Sequence, residues 1–312
     1  MPASSVRVGA RGTTSTYHES ETSMTRRERW IPFAFLIPAL AGLLVFQLVP
    51  IFFGLGRSLF TVNFASGSGQ LGFAGLENFR DIFTDPVFYN ALKVTLIFNL
   101  FVNPIQIGVS LLIALMLNAK LPGIGVFRTI FYVPVAVSLT IAAIIWGLML
   151  DRDSGMVNGV LSALHLPIQP FLQSPTQALA SIMLIVSWQG IAYWMLILLA
   201  GLQGIPKSLY EAASIDGATG VQAFRHITLP MMRRVLAFVL VSNTVANFLM
   251  FGPVFILTRG GPQGSTSTLM FESFRSGFIG INLGRATAIT TVILVFIAAL
   301  VVLQTHLLRD DR

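Results

Sequence analysis

The sequence predicts an all-α membrane protein with six transmembrane helices. Of its 312 residues, 54% are hydrophobic and only 11% are charged, whereas a typical soluble domain carries about 25% charged residues. The apolar residues are gathered in runs of about 20, the length that crosses a bilayer as a helix. Because lipid offers the backbone no hydrogen-bond partner, helices rather than strands are expected in these runs.

The first predicted helix begins at Trp30, in the run WIPFAFLIPALAGLLVFQLVPIFFGLG. This run is too long for a signal-peptide core and lacks a convincing small-residue cleavage site, so we interpret it as a retained span. Residues 1–29 are rich in Ser, Thr and Arg and are predicted to form a disordered tail. Arg26, Arg27 and Arg29 flank the span and place this tail in the cytoplasm.

Five more apolar runs predict the remaining spans. They cover residues 89–117, 127–150, 178–202, 232–257 and 286–308. Six spans place both termini inside, with residues 309–312 as a second cytoplasmic tail and residues 30–308 as the transmembrane domain. About thirteen of the 20 Lys and Arg residues then fall on the inner side, as the positive-inside rule requires.

The longer connections, on the outer side, contain one patterned stretch. Residues 71–92 alternate aromatic and acidic residues at near-helical spacing, with Phe79, Ile82 and Phe83 on one side. This pattern predicts a short interfacial helix that leads into the second span.

Composition argues against several classes of function. The net charge is +7, but the basic residues cluster at the ends of apolar runs and form no stripe, so nucleic-acid binding is not expected. The chain has no cysteine, and its four histidines are scattered without HExxH spacing. No metal site and no cofactor are therefore predicted.

The segment EAASIDGATGVQAFRHITLP, residues 211–230, is too polar to cross a bilayer. By the predicted topology it belongs to a cytoplasmic loop, residues 203–231. Pro206 suits the first turn of a helix, and Gly217 can adopt the left-handed conformation that ends one. Val221 and Phe224 then place a second short helix before Pro230. Spacing alone leaves two interpretations open: an element that docks on another protein, or a loop stiffened by its own capping.

A specific motif runs through this loop: EAA, three residues, Gly, nine residues, then Ile-x-Leu-Pro. The matching residues are Glu211, Ala212, Ala213, Gly217, Ile227, Leu229 and Pro230, with DGA at residues 216–218. The loop resembles the EAA loop of permease subunits in binding-protein-dependent ABC importers, especially the carbohydrate-importing, maltose-type branch. PALAGLLVFQLVPI (38–51), FRTIFYVPVAVS (127–138) and TRGGP (258–262) also resemble segments of that branch. Arg234 departs from it, because many relatives have a proline there.

The resemblance implies that this loop is a coupling helix, seated in a groove of a cytoplasmic ATPase subunit. The residues implied are Glu211, Ala212, Ala213, Asp216, Gly217 and Phe224. It also implies a second permease subunit, two copies of the ATPase, an external solute-binding protein, and a prokaryotic cytoplasmic membrane as the location. The chain has no GxxxxGK[ST] motif, so ATP hydrolysis is assigned to the partners and no catalytic residue is predicted.

Polar residues inside the spans are candidates for a binding site, because lipid disfavours them unless they face a cavity or a neighbouring helix. The second span has Asn99, Asn103 and Gln106, the fourth has residues 187–189 with Tyr193 and Trp194, and the fifth has residues 242–244 with Asn247. Such residues either hold helices together or bind a sugar. The resemblance implies that Trp188, Tyr193 and Asn247 contact the sugar and that Gly190 gives backbone clearance beside it, and polarity adds Gln189 and Asn243.

The expected function is that of a permease subunit importing a sugar or related polyol. An alternative is the import of glycerol 3-phosphate or a glycerophosphodiester, which a basic residue lining the path would favour. An ion-coupled secondary transporter would ordinarily carry acidic residues within its spans, and a membrane-embedded enzyme would need a converging nucleophile and base; the spans show neither pattern.

Overall fold

The computed structural model describes residues 31–63, 70–119 and 122–308. The predicted tails, residues 1–29 and 309–312, lie outside the described residues. The chain divides into two compact units, Met1–Phe52 and Phe53–Arg312. In the first unit, α1 (Ile31–Leu43) passes through a π-helical turn (Leu44–Leu48) into α2 (Val49–Arg57), which ends in the second unit.

The second unit is built almost entirely of helices. A hairpin of β1 (Phe60–Asn63) and β2 (Gln70–Phe73) comes first. The helices that follow are α3 (Glu77–Thr84), α4 (Pro86–Asn118), α5 (Ile124–Ala136), α6 (Leu139–Met149), α7 (Met156–Ala163), α8 (Ala178–Gln203), α9 (Lys207–Ile215), α10 (Gly220–Ala223), α11 (Leu229–Phe248), α12 (Gly252–Leu257), α13 (Leu269–Phe274) and α14 (Leu283–Leu308).

The helical prediction is confirmed for most of the chain. The described residues contain five helices long and apolar enough to cross a membrane, and six candidates if one bent pair counts as a single span. That pair is α5 and α6, which meet at an angle of 94°. The predicted span over residues 127–150 therefore contains a sharp bend, which its apolar sequence did not predict. Val137 and Ser138 are extended at the bend, and the Ser138 side chain accepts a hydrogen bond from the Ile141 N–H to begin α6.

Strands were not expected, yet β1 and β2 pair antiparallel, with Phe60 opposite Phe73. The interfacial helix predicted over residues 71–92 is accordingly shorter: α3 occupies Glu77–Thr84, and α4 begins at Pro86. Asn78, which is buried, donates hydrogen bonds to the carbonyls of Ser58 and Phe60. This distant partner fixes the hairpin against α3, and it could not be read from local periodicity.

The helices α4, α8 and α11 form the centre of the second unit. α4 and α8 have the most extensive helix–helix contact, and α11 packs against both of them and against α14. One cluster of buried side chains joins the three helices, including Leu117, Met195, Leu198, Met232 and Val239. The polar side chains predicted for the second, fourth and fifth spans are therefore carried by three helices that touch one another.

Candidate functional site

A cavity of about 810 Å³ opens between α4, α8, α11 and the bend that joins α5 to α6. The bend contributes Val135 and Leu139, and the segment after α11, residues 249–253, closes another side. Its polar and aromatic wall residues are Gln106, Thr140, Gln189, Tyr193, Trp194, Asn243, Asn247 and Phe251. Among the described residues that line it, none is charged.

Five of the six predicted sugar-contact residues lie in this wall: Gln189, Gly190, Tyr193, Asn243 and Asn247. Trp188 is not part of the lining among the described residues. Its indole packs edge-to-face on that of Trp146, with ring centroids 5.9 Å apart. These residues were selected separately for resemblance and polarity, and the fold brings five of them to one place. Their contact with a substrate stays a prediction.

Asn243 and Asn247 belong to a buried hydrogen-bond network. Asn243 Oδ1 accepts from Trp194 Nε1 at 2.8 Å and from Asn247 Nδ2 at 3.2 Å. Asn247 Nδ2 also donates to Asn103 Oδ1 at 2.8 Å, and Asn103 Nδ2 donates to Thr244 Oγ1 at 3.2 Å. In hydrocarbon such bonds hold helices together, each contributing about 0.6–2 kcal/mol. The network therefore holds α4, α8 and α11 together beside the cavity.

Gln189 faces the bend between α5 and α6. Its Nε2 donates to the carbonyls of Val137 and Pro134. The extended residues at the bend end the regular helical hydrogen bonding, and carbonyls released in this way need a donor in a non-aqueous interior. Gln189 thus has a structural task that its sequence position did not reveal.

Tyr193 presents an accessible polar group in the wall. Its side chain is 49% exposed, and its ring packs edge-to-face on that of Trp194 at 4.8 Å. Among the described residues, no protein group forms a hydrogen bond with the Tyr193 hydroxyl. The tyrosine can therefore offer both a ring and a hydroxyl to a bound molecule.

Gly190 allows Gln106 to pack against α8. A β-carbon at position 190 would lie 2.2 Å from Gln106 Nε2 and 2.7 Å from Cδ. In the sequence, Gln106 is one of the polar residues of the second span, but neither resemblance nor polarity makes it a site residue. The structure adds the observation that Gln106 packs where Gly190 has no side chain, and this contact exists only once α4 and α8 are packed together.

The described wall of the cavity offers uncharged polar and aromatic groups to a ligand. Amides can both donate and accept hydrogen bonds, and aromatic rings can pack on C–H faces. Among the described residues there is no group of three or more His, Cys, Asp or Glu side chains that could hold a metal ion. The described wall has no charged acid or base, so it can bind a hydroxyl-rich molecule but offers no pair for proton transfer.

The polar loop is shaped by its own capping. Gly217 has φ +75°, as predicted for the end of a helix. The Gly217 N–H bonds to the Ser214 carbonyl, and the Ala218 N–H bonds to the Ala213 carbonyl at 2.9 Å. These two bonds form a Schellman motif, which fixes the end of α9. Pro206 is the N-cap residue immediately before α9.

Most of the predicted coupling residues are on the surface of this loop. Glu211, Ala212, Asp216 and Gly217 are exposed, whereas Ala213 and Phe224 are half-buried. In the described part of the chain, Glu211 has neither a salt bridge nor a hydrogen bond from its side chain. Two apolar side chains are also exposed, Ile215 by 87% and Val221 by 77%.

The second half of the loop differs from the prediction. Thr219 and Gln222 form a capping box that begins α10. α10 then continues through a π-helical turn, Phe224–Thr228, directly into α11. The expected separate short helix is thus the first part of the helix that carries Asn243 and Asn247.

Comparison with known proteins agrees with this arrangement. The family model described as "Binding-protein-dependent transport system inner membrane component" matches residues 29–310. The chain belongs to this family. It is a permease subunit of a binding-protein-dependent ABC importer and a multi-pass protein of the inner membrane.

Two relatives and one solved structure illustrate the similarity. The permease is 34% identical to the probable ABC transporter permease protein YurN of Bacillus subtilis, over 93% of this chain and 99% of that one. It is 36% identical to the sn-glycerol-3-phosphate transport system permease protein UgpA of Agrobacterium fabrum, over 74% and 79%. It also resembles a chain of the bacterial alginate ABC transporter in complex with alginate pentasaccharide-bound periplasmic protein, with TM-score 0.77 and 26% identity, over 91% and 95%.

The packing of Gln106 against Gly190 gives a stability prediction. We expect Gly190→Ala to destabilise the permease by about 1–3 kcal/mol, the usual cost of overpacking, because its methyl group overlaps the Gln106 amide. Thermal unfolding of the purified permease, followed by tryptophan fluorescence, measures this change.

Gly108→Ala is the matched control, since it lies in α4 and has no atom within 4 Å of its added β-carbon. It should be neutral or slightly stabilising. In a Gln106→Ala background, Gly190→Ala should cost less than it does alone. Equal effects of the two alanines in the wild-type background would contradict the packing argument.

Proposed function

We propose that this permease carries a neutral sugar or polyol into the cell, driven by ATP hydrolysis on partner ATPase subunits. The observation that carries the proposal is the cavity wall: amides, a tyrosine hydroxyl and aromatic rings, with no charge among the described lining residues. Sugar hydroxyls need hydrogen-bond partners, and sugar C–H faces pack on rings. The wall supplies both kinds of contact.

The names of the relatives favour a second candidate, sn-glycerol 3-phosphate, through UgpA. A phosphate monoester carries about −1.5 to −2 charge near pH 7, and arginine or lysine ordinarily pairs with such a group. The described wall contains neither residue. Because one solved neighbour imports the acidic polysaccharide alginate, the relatives span more than one charge class, and the cavity of this chain supports a neutral substrate.

We further propose that the polar loop, residues 203–231, is the cytoplasmic coupling element and that both termini are inside. The excess of Lys and Arg on that side supports the orientation. The exposed Glu211 and Ile215 and the Schellman motif at Gly217 support a rigid docking surface. Residues 1–29 and 309–312 are proposed as cytoplasmic tails of the transmembrane domain, residues 30–308.

The proposed assembly contains this permease, a second permease subunit, two copies of a cytoplasmic ATPase and an external solute-binding protein. The solved neighbour in complex with its periplasmic protein is consistent with the last of these. In this assembly the permease is not itself an enzyme. Alternating access would arise from one permease moving against the other around the cavity.

Uptake by the complete importer tests the substrate class. We expect ATP-dependent uptake of at least one sugar or polyol from a panel of glycerol, D-glucose, maltose, sucrose and raffinose, and none of sn-glycerol 3-phosphate. Tyr193→Ala and Asn247→Ala should each raise KM about three- to tenfold, as the loss of one hydrogen bond predicts. Uptake of sn-glycerol 3-phosphate alone would replace the proposal with its alternative.

Substitutions in the polar loop test coupling. Gly217→Val forces a β-branched residue into a left-handed conformation, and Glu211→Lys reverses an exposed charge. We expect both variants to reach the membrane and assemble, with sugar uptake per ATP hydrolysed reduced at least tenfold. The controls are Gly220→Val, at an open glycine without positive φ, and Ser208→Lys on the exposed surface of α9. Normal transport by both test variants would refute the coupling role.

The absence of cysteine from the sequence makes topology directly measurable. Asp216→Cys should react with a membrane-impermeant maleimide in inside-out vesicles and remain unlabelled in intact cells whose outer barrier is opened. Asp153→Cys, in the exposed loop after α6, should show the reverse. Labelling of Asp216→Cys from the outside would overturn the proposed orientation.

A further inference from the structure

The geometry points to Gln106 of α4 as a specificity-determining residue that accepts a hydrogen bond from a hydroxyl of the transported molecule. This inference rests on the proposed import of a neutral sugar or polyol and adds a contact from the second span. None of the motifs that identify the family contains Gln106. Its evidence is the hydrogen bonding of its amide.

Only one of the two polar atoms of the Gln106 amide has a hydrogen-bond partner among the described residues. The side chain is 1% exposed and lines the cavity. Its Nε2 donates to the Val186 carbonyl of α8 at 3.1 Å. Its Oε1 is buried and accepts no hydrogen bond from any of the described residues. Buried side-chain polar atoms are nearly always paired, so an orphan acceptor in a cavity wall calls for a ligand.

The orientation of this amide follows from its surroundings. Exchanging Nε2 and Oε1 would place an oxygen against the Val186 carbonyl, where two acceptors would repel each other. The nitrogen therefore binds α8, and the oxygen is the free acceptor.

A free donor lies in the same wall. Asn243 Oδ1 accepts from both Trp194 and Asn247, which fixes the orientation of its amide. Asn243 Nδ2 is buried and has no acceptor. Among the described lining residues, the buried side-chain atoms without a partner are thus one acceptor, Gln106 Oε1, and one donor, Asn243 Nδ2.

The unpaired acceptor and the unpaired donor together favour a ligand with hydroxyl groups. A hydroxyl group donates one hydrogen bond and accepts others, so the hydroxyls of a sugar or polyol can supply the kind of partner that each residue lacks. A phosphate dianion has acceptors only, so Gln106 Oε1 can pair with a hydroxyl of the substrate and not with a phosphate group. Leaving a polar site unpaired is the mechanism by which hydrogen-bonding sites discriminate most strongly between substrates.

Ser110 on the same helix is a matched control for a purely structural role of Gln106. Ser110, one turn further along α4, donates to the Ile191 carbonyl of α8 at 2.9 Å. It makes the same kind of contact between the two helices but is not part of the described cavity wall. Ser110→Ala therefore removes one hydrogen bond between α4 and α8 without removing a substrate contact.

The experiment uses the complete importer in proteoliposomes with the sugar or polyol from the uptake panel that is transported best. We expect Gln106→Met to raise KM about three- to tenfold, with the maximal uptake rate within about twofold of the wild type, as for one lost hydrogen bond. Ser110→Ala should leave KM unchanged. Gln106→Glu should restore the wild-type KM, because a protonated carboxyl can donate to the Val186 carbonyl and keep an acceptor.

Deoxy analogues of the same substrate provide the decisive readout. In the wild type, removing the hydroxyl that meets Gln106 should raise KM; in Gln106→Met the same analogue and its parent should have equal KM. If Gln106→Met does not reach the membrane, Gln106→Asn, which retracts the carbonyl by one methylene, takes its place. An unchanged KM, or an equal rise in Ser110→Ala, would overturn the role of Gln106 alone. Failure to import every neutral compound of the panel would overturn the proposed function and this inference with it.

Discussion

A polar group inside a lipid-embedded helix bundle must find its partner within the protein, and the rest of this permease depends on that constraint. The buried amides of α4 and α11 bind one another, with Asn103, Asn243 and Asn247 joined to Trp194 of α8. Two incompletely paired amides, Gln106 and Asn243, lie in the wall of the cavity, whereas a third, Gln304 of α14, is not among its lining residues. The same rule therefore holds the helices together, and at the cavity it leaves two groups to which a ligand can bind.

The constraint also explains how the bundle tolerates a break beside its cavity. The chain turns by 94° between α5 and α6, and regular helical hydrogen bonding stops at Val137. Gln189 of α8 donates to the carbonyls at this point. A broken helix in a membrane protein is stable only when neighbouring groups satisfy its backbone. The bend contributes Val135 and Leu139 to the cavity, so the break gives the site one of its walls.

Much of this structure was predictable from local patterns, and the remainder depends on contacts between distant residues. Hydropathy identified the apolar helices, and turn chemistry identified the left-handed Gly217. The hairpin at β1 and β2 depends on Asn78, and the slot for Gln106 depends on Gly190. Trp188 is a further example: it packs on Trp146 of another helix, and helical periodicity within one segment cannot predict such a contact.

The continuity of α10, the π-helical turn and α11 connects the polar loop to the cavity mechanically. A displacement at Gly220 acts on the same helix that carries Asn243 and Asn247. If α11 slid past its neighbours, it would break its bonds to Asn103 of α4 and to Trp194 of α8. Carrying α4 and α8 along keeps these bonds among the three helices. The cheaper response to a force on the loop is therefore movement of the three helices as one body, which moves the cavity without dismantling its wall.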